Sequence, residues 1–441
     1  MVTIIQGYRR WISKLHALLF VVVVLFIFYD SVNAQVRLGL PPTRDHELRG
    51  VRYKGMVFIP YLGIEGGYNS NLFRLASEDK EGIVGAGVLG VTPGLELSNE
   101  TPNVVKLKWE AWGTVYKYFS DSEEAKNQGL FAASSRLRAE FLPKSVIGFF
   151  VDDRFSRQVV PPNYPGVNSY DRNVNRAEIG VQIRPGGGAL VLAPSYAFNF
   201  ALYDSQTEID VWSHEARVLT TWDVLPKTMV FLDIDWHAKD WRKNIANIRE
   251  DLKPLNIMVG MKGFVTRKMA VTAAGGFAKT FFKRGPEYTG FIADLAVGLK
   301  PTGYFFLDAG YKRTVEEGVW GNYVATDWAS FRTGLQILRR VNLLASFEYG
   351  YQRYGSVQAS ELTSEPDVTY SANQSDRQDH VLQGSASVSW SIMRHIIVEA
   401  SYSFSGRMTD FYLERTFKSE TIRDYARFKQ HIVFAGVKAI Y

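Results

Sequence analysis

Val105-Lys106-Leu107-Lys108-Trp109-Glu110-Ala111-Trp112-Gly113-Thr114-Val115 switches between apolar and polar side chains almost residue by residue. Side chains on a strand point alternately to its two faces. One face here is greasy (Val105, Leu107, Trp109, Ala111, Val115), and the other carries Lys106, Lys108, Glu110, Trp112 and Thr114. The same split separates Leu190, Leu192, Pro194, Tyr196, Phe198 and Phe200 from Ala193, Ser195, Ala197 and Asn199. It separates Leu232, Ile234 and Trp236 from Asp233, Asp235 and His237, and Val433, Ala435, Val437, Ala439 and Tyr441 from Gly436 and Lys438.

Working outward with this pattern and the turn residues between repeats, the chain predicts about eighteen strands. They lie near 56–70, 83–98, 103–120, 128–142, 145–159, 171–184, 188–204, 209–223, 227–241, 252–265, 268–283, 287–300, 303–315, 323–337, 340–356, 377–391, 395–410 and 427–441. Short turns such as Pro143-Lys144, Pro185-Gly186-Gly187, Leu225-Pro226 and Met393-Arg394 follow the even strands, and longer polar links follow the odd ones. The longest links lie near 160–170, 357–376 and 411–426. Short turns on one rim and long loops on the other mark an outer-membrane barrel. A soluble sandwich or propeller would also alternate, but its strands centre on about 5–6 residues. Nor would it place Trp222, Trp236, Tyr349, Tyr351, Trp390, Tyr402 and Tyr441 at the ends of apolar stripes, where interfacial girdles belong. The expected fold is all-β: one transmembrane antiparallel up-and-down β-barrel over 56–441.

Residues 1–34 read as a secretory signal. Arg9, Arg10 and Lys14 precede an apolar run from Leu15 to Phe28, and Ser31-Val32-Asn33-Ala34 supplies small residues for cleavage between Ala34 and Gln35. The alternative is a single anchoring helix, since the run is long for a signal. Residues 35–55 are then a short periplasmic segment, and the mature protein reaches the outer membrane after Sec-type export. The chain has no cysteine, hence no disulfide and no lipid-carrying cysteine. Its charge of +6 falls to about +4 once Arg9, Arg10, Lys14 and Asp30 leave with the signal. With no basic block, no nucleic-acid partner is expected.

If the apolar stripes face lipid, the charged stripes face the interior. The candidate pore-lining residues are Lys106, Lys108 and Glu110 on one strand and Arg136, Arg138 and Glu140 on the next, followed by Arg154, Arg176, Glu178 and Arg217. Further along come Asp233, Asp235, Arg332 and Glu348. Sixteen to eighteen strands leave room for an aqueous channel, which supplies the water these groups need. Expected pairs are Glu110 with Arg136 or Arg138, and Arg154 with Glu178. Trp112, Tyr116 and Tyr203 are candidates to touch a passing sugar polymer. His237 beside Asp233 and Asp235 could bind a cation, although a solvated cluster explains it better, and His214, His380 and His431 fall on outward or rim positions. No catalytic grouping, metal motif or cofactor is expected.

Two stretches carry a resemblance. Gly66-Gly67-Tyr68-Asn69-Ser70-Asn71-Leu72-Phe73 and Val91-Thr92-Pro93-Gly94-Leu95-Glu96-Leu97 resemble the opening of the beta-barrel porin 2 family. That resemblance implies a channel of the porin or exopolysaccharide-export kind, as in myxobacterial polysaccharide-secretion or gliding-machinery barrels. The alternative role is a non-conducting structural component of a trans-envelope machine such as a gliding-motility complex, and an outer-membrane hydrolase is a third. The end of the chain, with Gly436 and terminal Tyr441, resembles the signal read by barrel-assembly machinery. That machinery, membrane lipid and other envelope proteins are the expected partners.

Overall fold

The structure, a computed structural model, describes residues 50–441 apart from 79–81, 100–103, 128–129, 160–170, 205–206, 208–209, 243–250, 283–286, 318–322, 339, 356–367, 374–375 and 418–419. The expected signal, the Ala34–Gln35 cleavage site, most of segment 35–55 and the loop at 160–170 fall outside the described residues. Strands run Val51–Tyr53 (β1), Met56–Asn69 (β2), Ala86–Asn99 (β3), Val105–Phe119 (β4), Phe131–Phe141 (β5), Ile147–Gln158 (β6), Arg172–Ile183 (β7) and Leu190–Tyr203 (β8). They continue with Val211–Leu225 (β9), Thr228–Trp241 (β10), Leu252–Thr266 (β11), Met269–Phe282 (β12), Tyr288–Thr302 (β13), Phe305–Glu317 (β14), Tyr323–Ile337 (β15) and Val341–Tyr354 (β16). Last come Val368–Ala372 (β17), Gln378–Met393 (β18), Ile396–Met408 (β19), Tyr412–Phe417 (β20), Glu420–Tyr425 (β21) and Phe428–Ile440 (β22).

Each long strand pairs antiparallel with the next, and β16 pairs directly with β18. The sheet closes where β22 meets β2, from Tyr61 opposite Ile440 to Asn69 opposite Ile432. The result is an eighteen-strand barrel. Below that seam β1 folds back on β2 through Lys54 and Gly55, whose φ of 48° and 80° make the left-handed turn a tight hairpin needs. Thus β1 covers Met56–Phe58, and the Tyr441 amide donates to the Pro60 carbonyl just above at 3.1 Å, so little of the β2 edge stays open.

Strands of 11 to 16 residues supply the span. At about 3.3 Å per residue and a tilt near 40°, a 14-residue strand rises roughly 35 Å, enough to cross an apolar band of about 25 Å. The outer face is built for that band. Val115, Ile179, Val259, Phe291 and Val433 point outward and are each more than half exposed, and most of the other long strands also present exposed apolar side chains, which water would penalise heavily. On β22 exposure alternates without a break from Phe428 to Tyr441. No helix among the described residues is long and apolar enough to cross a membrane.

Four strands were not anticipated. One is β1; the others, β17, β20 and β21, form a separate three-stranded sheet from the links expected near 357–376 and 411–426. Their polar, irregular sequences carry no period-2 stripe because they pack on no lipid face.

Candidate functional site

The site is the lumen, with an ionic wall and a partly closed mouth at the long-loop rim. Along β4–β10 the inward stripe is bound into ion pairs. Three arginines meet one carboxylate: Arg136 Nη2 and Arg138 Nη1 lie 3.0 and 3.2 Å from Asp152 Oδ2, and Arg154 Nε lies 2.6 Å from Oδ1. Arg138 also reaches Glu140 at 2.9 Å, and Lys106 approaches Glu140 at 3.6 Å. Lys108 pairs with Glu110 and lies 3.7 Å from Glu96. Farther round, Arg176 holds Glu215 and, at 3.2 Å, Glu178, while Arg217 grips Asp233 through two bonds of 2.8 and 2.6 Å. Arg332 lies 5.3 Å over the Phe306 ring, and Glu348 is buried on β16.

The expected pairings need correction. Glu110 stands opposite Arg136, yet it pairs with Lys108, and Arg154 goes to Asp152 rather than Glu178. The register explains the change. Arg136 faces Arg154 across β5 and β6, a like-charge pair that is unfavourable unless both turn to a carboxylate within reach. Asp152 occupies that place, diagonal to Arg136, opposite Arg138 and two residues from Arg154 on β6. Likewise Asp233 is taken by Arg217, and His237 Nε2 lies 2.9 Å from Asp235, which also accepts from Asn256. Among the described residues no group of three or more His, Asp or Glu is placed to hold a metal.

The mouth holds what sequence reasoning missed. After β2 the chain turns into the barrel: Leu72, Phe73, Leu75 and Ala76 are buried, and the first three pack against inward Val88, Tyr116, Tyr118 and Ala132. Asn71 fixes the turn. It is wholly buried, its Nδ2 donates to the Leu75 and Lys429 carbonyls at 2.7 and 3.0 Å, and its Oδ1 accepts from the Leu75 amide at 2.9 Å. Gln430 of β22 donates to the Asn69 side chain and the Asn71 carbonyl, and Arg74 donates to Gln430. A short helix α1, Glu123–Lys126, capped by Ser122, adds buried Ala125 to the cluster. At the loop's far side Glu78 meets Arg427 at 2.9 Å; the Ser77 hydroxyl, with Arg427 adding to it, holds the Glu78 carboxyl below the ordinary range. The signal was present in Ser70-Asn71-Leu72-Phe73, apolar residues beside amides in a supposed loop.

A second buried cluster lies at the same rim. Arg377 is fully buried between the Tyr354 and Phe411 rings, 4.2 and 4.5 Å from their centres, and donates to Asp379, which Arg407 also approaches at 3.2 Å. Above it lies the β17–β20–β21 sheet, with Arg423 bonded to Glu414 at 2.8 Å. The Thr92-Pro93-Gly94 stretch is explained by packing, since the inward position of Gly94 is filled by the Tyr61 ring, which a Cβ there would meet at 2.2 Å.

The aromatic path expected for a sugar polymer is covered. Tyr116 is buried under the inward loop, Trp112 packs against the same cluster, and Tyr203 packs with Trp241 and Leu252 beneath Arg172. Outside, each of three histidines bonds a tyrosine on the neighbouring strand: His214 with Tyr196 at 2.6 Å, His380 with Tyr349 at 2.6 Å and His431 with Tyr402 at 2.9 Å. From His431 to Tyr441 is about 25 Å of rise, so β22 places an aromatic belt at each end of its apolar stripe. Gly436 faces inward on that strand, its Cβ position crowded by Glu65 and the Ile64 carbonyl, and Tyr441 is exposed at the rim.

No family model matches this sequence and no curated protein matches it, so the resemblance of 66–73 and 91–97 stands on those residues alone. The barrel is similar in shape to solved outer-membrane structures. The outer membrane protein opdK from Pseudomonas aeruginosa matches with a TM-score of 0.46 and 10% identity over 87% of this chain and 99% of that one. OpdO from Pseudomonas aeruginosa gives 0.45 and 12% over 87% and 97%, and the FrpB iron transporter from Neisseria meningitidis gives 0.45 and 6% over 89% and 82%. At these scores and identities the functional reading rests on this chain's own wall and mouth.

Proposed function

We propose that the protein is an outer-membrane channel whose lumen is narrowed at the long-loop mouth by residues 70–78. The observation that carries this reading is the wall. Some fifteen charged side chains face the interior in pairs whose basic members are partly exposed to the lumen, which a dry, side-chain-filled core would penalise. Residues 1–34 would serve as the export signal, with release between Ala34 and Gln35. The apolar belt then meets acyl chains, and the barrel-assembly machinery inserts the strands. Polysaccharide export is a narrower form of this proposal, and it would require Tyr116 and Trp112 to be uncovered by withdrawal of the loop.

Planar-bilayer recording tests the reading. Purified protein is expected to conduct weakly, and Asn71→Ala, which removes the loop's anchor, to conduct several-fold more. Silence of both forms at every voltage would leave the non-conducting structural role.

A further inference from the structure

The inward charges differ in sign and also in depth. The side chains of Lys106, Lys108, Arg136, Arg138 and Arg154 are 57, 46, 47, 38 and 47% exposed. Their carboxylate partners Glu140, Glu96 and Asp152 are 15, 17 and 1% exposed. Only Glu110, at 43%, stands as high. Across the barrel the trend holds, since Lys262 on β11 and Lys312 on β14 are exposed on the inward stripe, whereas Asp294, Asp308 and Glu348 are partly or wholly buried. Two inward acids are exposed near the rims: Asp223 at the short-turn rim, where exposed Lys300 offsets it, and Glu316 at the opposite end of β14.

An ion in the lumen therefore meets cations first and carboxylates behind them. The arrangement is most lopsided at Asp152, where Lys106, Arg136, Arg138 and Arg154 share two carboxylates, Asp152 and Glu140. Glu178 opposite Asp152 and Glu110 opposite Arg136 bring the wall as a whole near neutrality, so what favours an anion is the greater exposure of the cations. Low-dielectric barrel walls concentrate the field of these exposed guanidiniums in the lumen. Each of these guanidiniums has five N–H donors and gives one or two to the carboxylates, so the exposed remainder matches the geometry of an oxyanion.

Resting on the channel reading above, we propose that the lumen selects for anions and that Arg136, Arg138 and Arg154 form a contact site for a carboxylate- or sulfate-bearing solute. The reversal potential in a tenfold potassium chloride gradient is expected to show chloride passing several-fold more readily than potassium. Millimolar sodium sulfate is expected to depress the chloride current of the native chain but not that of Arg136→Gln/Arg154→Gln. Lys262→Glu touches no buried carboxylate, so it keeps the test alive if the arginine variant misfolds; it is expected to move the reversal potential toward potassium. Current with potassium favoured, or with no dependence on Lys262 and no sulfate block, overturns the anion site while leaving a channel. Silence of both the native chain and Asn71→Ala overturns the channel and this inference together.

Discussion

The inner wall between β4 and β10 and the mouth between β22, β2 and β4 border the same cavity, yet they are held by opposite means. The wall is ionic; its guanidiniums are 24 to 47% exposed and reach carboxylates on their own and neighbouring strands. The mouth is dry, with Leu72, Phe73 and Leu75 packed on Tyr116 and Tyr118 and a fully buried Asn71 spending its bonds on backbone. Exposed ion pairs are individually weak, whereas apolar burial and buried amide bonds are each worth more and fail together. The wall should therefore absorb single changes in small steps, and the mouth should switch.

That contrast can be broken at its strongest point first. Leu72→Asp places a charge in the apolar cluster at a cost of several kcal/mol, more than the loop's packing can bear. Single-channel conductance is expected to rise several-fold while the heat-induced gel shift that reports barrel unfolding barely moves. An unchanged conductance would mean the loop does not obstruct the lumen. Asp152→Asn comes next: it leaves three arginines around a neutral amide, and after discounting for their exposure about 2 kcal/mol of barrel stability is expected to go, read as a lower unfolding temperature in detergent. Lys108→Gln removes an exposed pair and is expected to shift stability by no more than about 0.5 kcal/mol.

The smallest effect concerns pH. The Glu78 carboxyl is held below its ordinary range in the folded mouth, so its tie to Arg427 is present above that range and is lost as pH falls through the lowered value. Acidification past the carboxylate range is expected to make the open state slightly more frequent, and Glu78→Gln to abolish that dependence.

Much of the barrel was legible because a strand between lipid and water must alternate, and Val105–Val115 or Phe428–Tyr441 show that constraint directly. The eighteen expected segments match the long strands to within a few residues for this reason. Local alternation gives facing but not register or diagonal reach, so Asp152 was not distinguished from its neighbours and the partners of Glu110 and Arg154 were misassigned. The inward loop was hidden for another reason. Leu72, Phe73 and Leu75 have no periodic strand around them, and only the pairing of Asn71 with Gln430 and Lys429, more than 350 positions later, makes them a closure. β17, β20 and β21 are stabilised by each other across two distant links, which no single window of sequence displays.

One measurement reaches the central claim. The chain lacks cysteine, so a spin label can be placed singly at Val259, which points outward on β11, or at Lys262, which points inward three residues later. In lipid vesicles the label at 259 is predicted to relax with dissolved oxygen and to be shielded from a water-soluble nickel complex, and the label at 262 to behave the other way round. Equal relaxation of both labels by nickel would place both faces of the strand in water and contradict a barrel that turns one face to lipid.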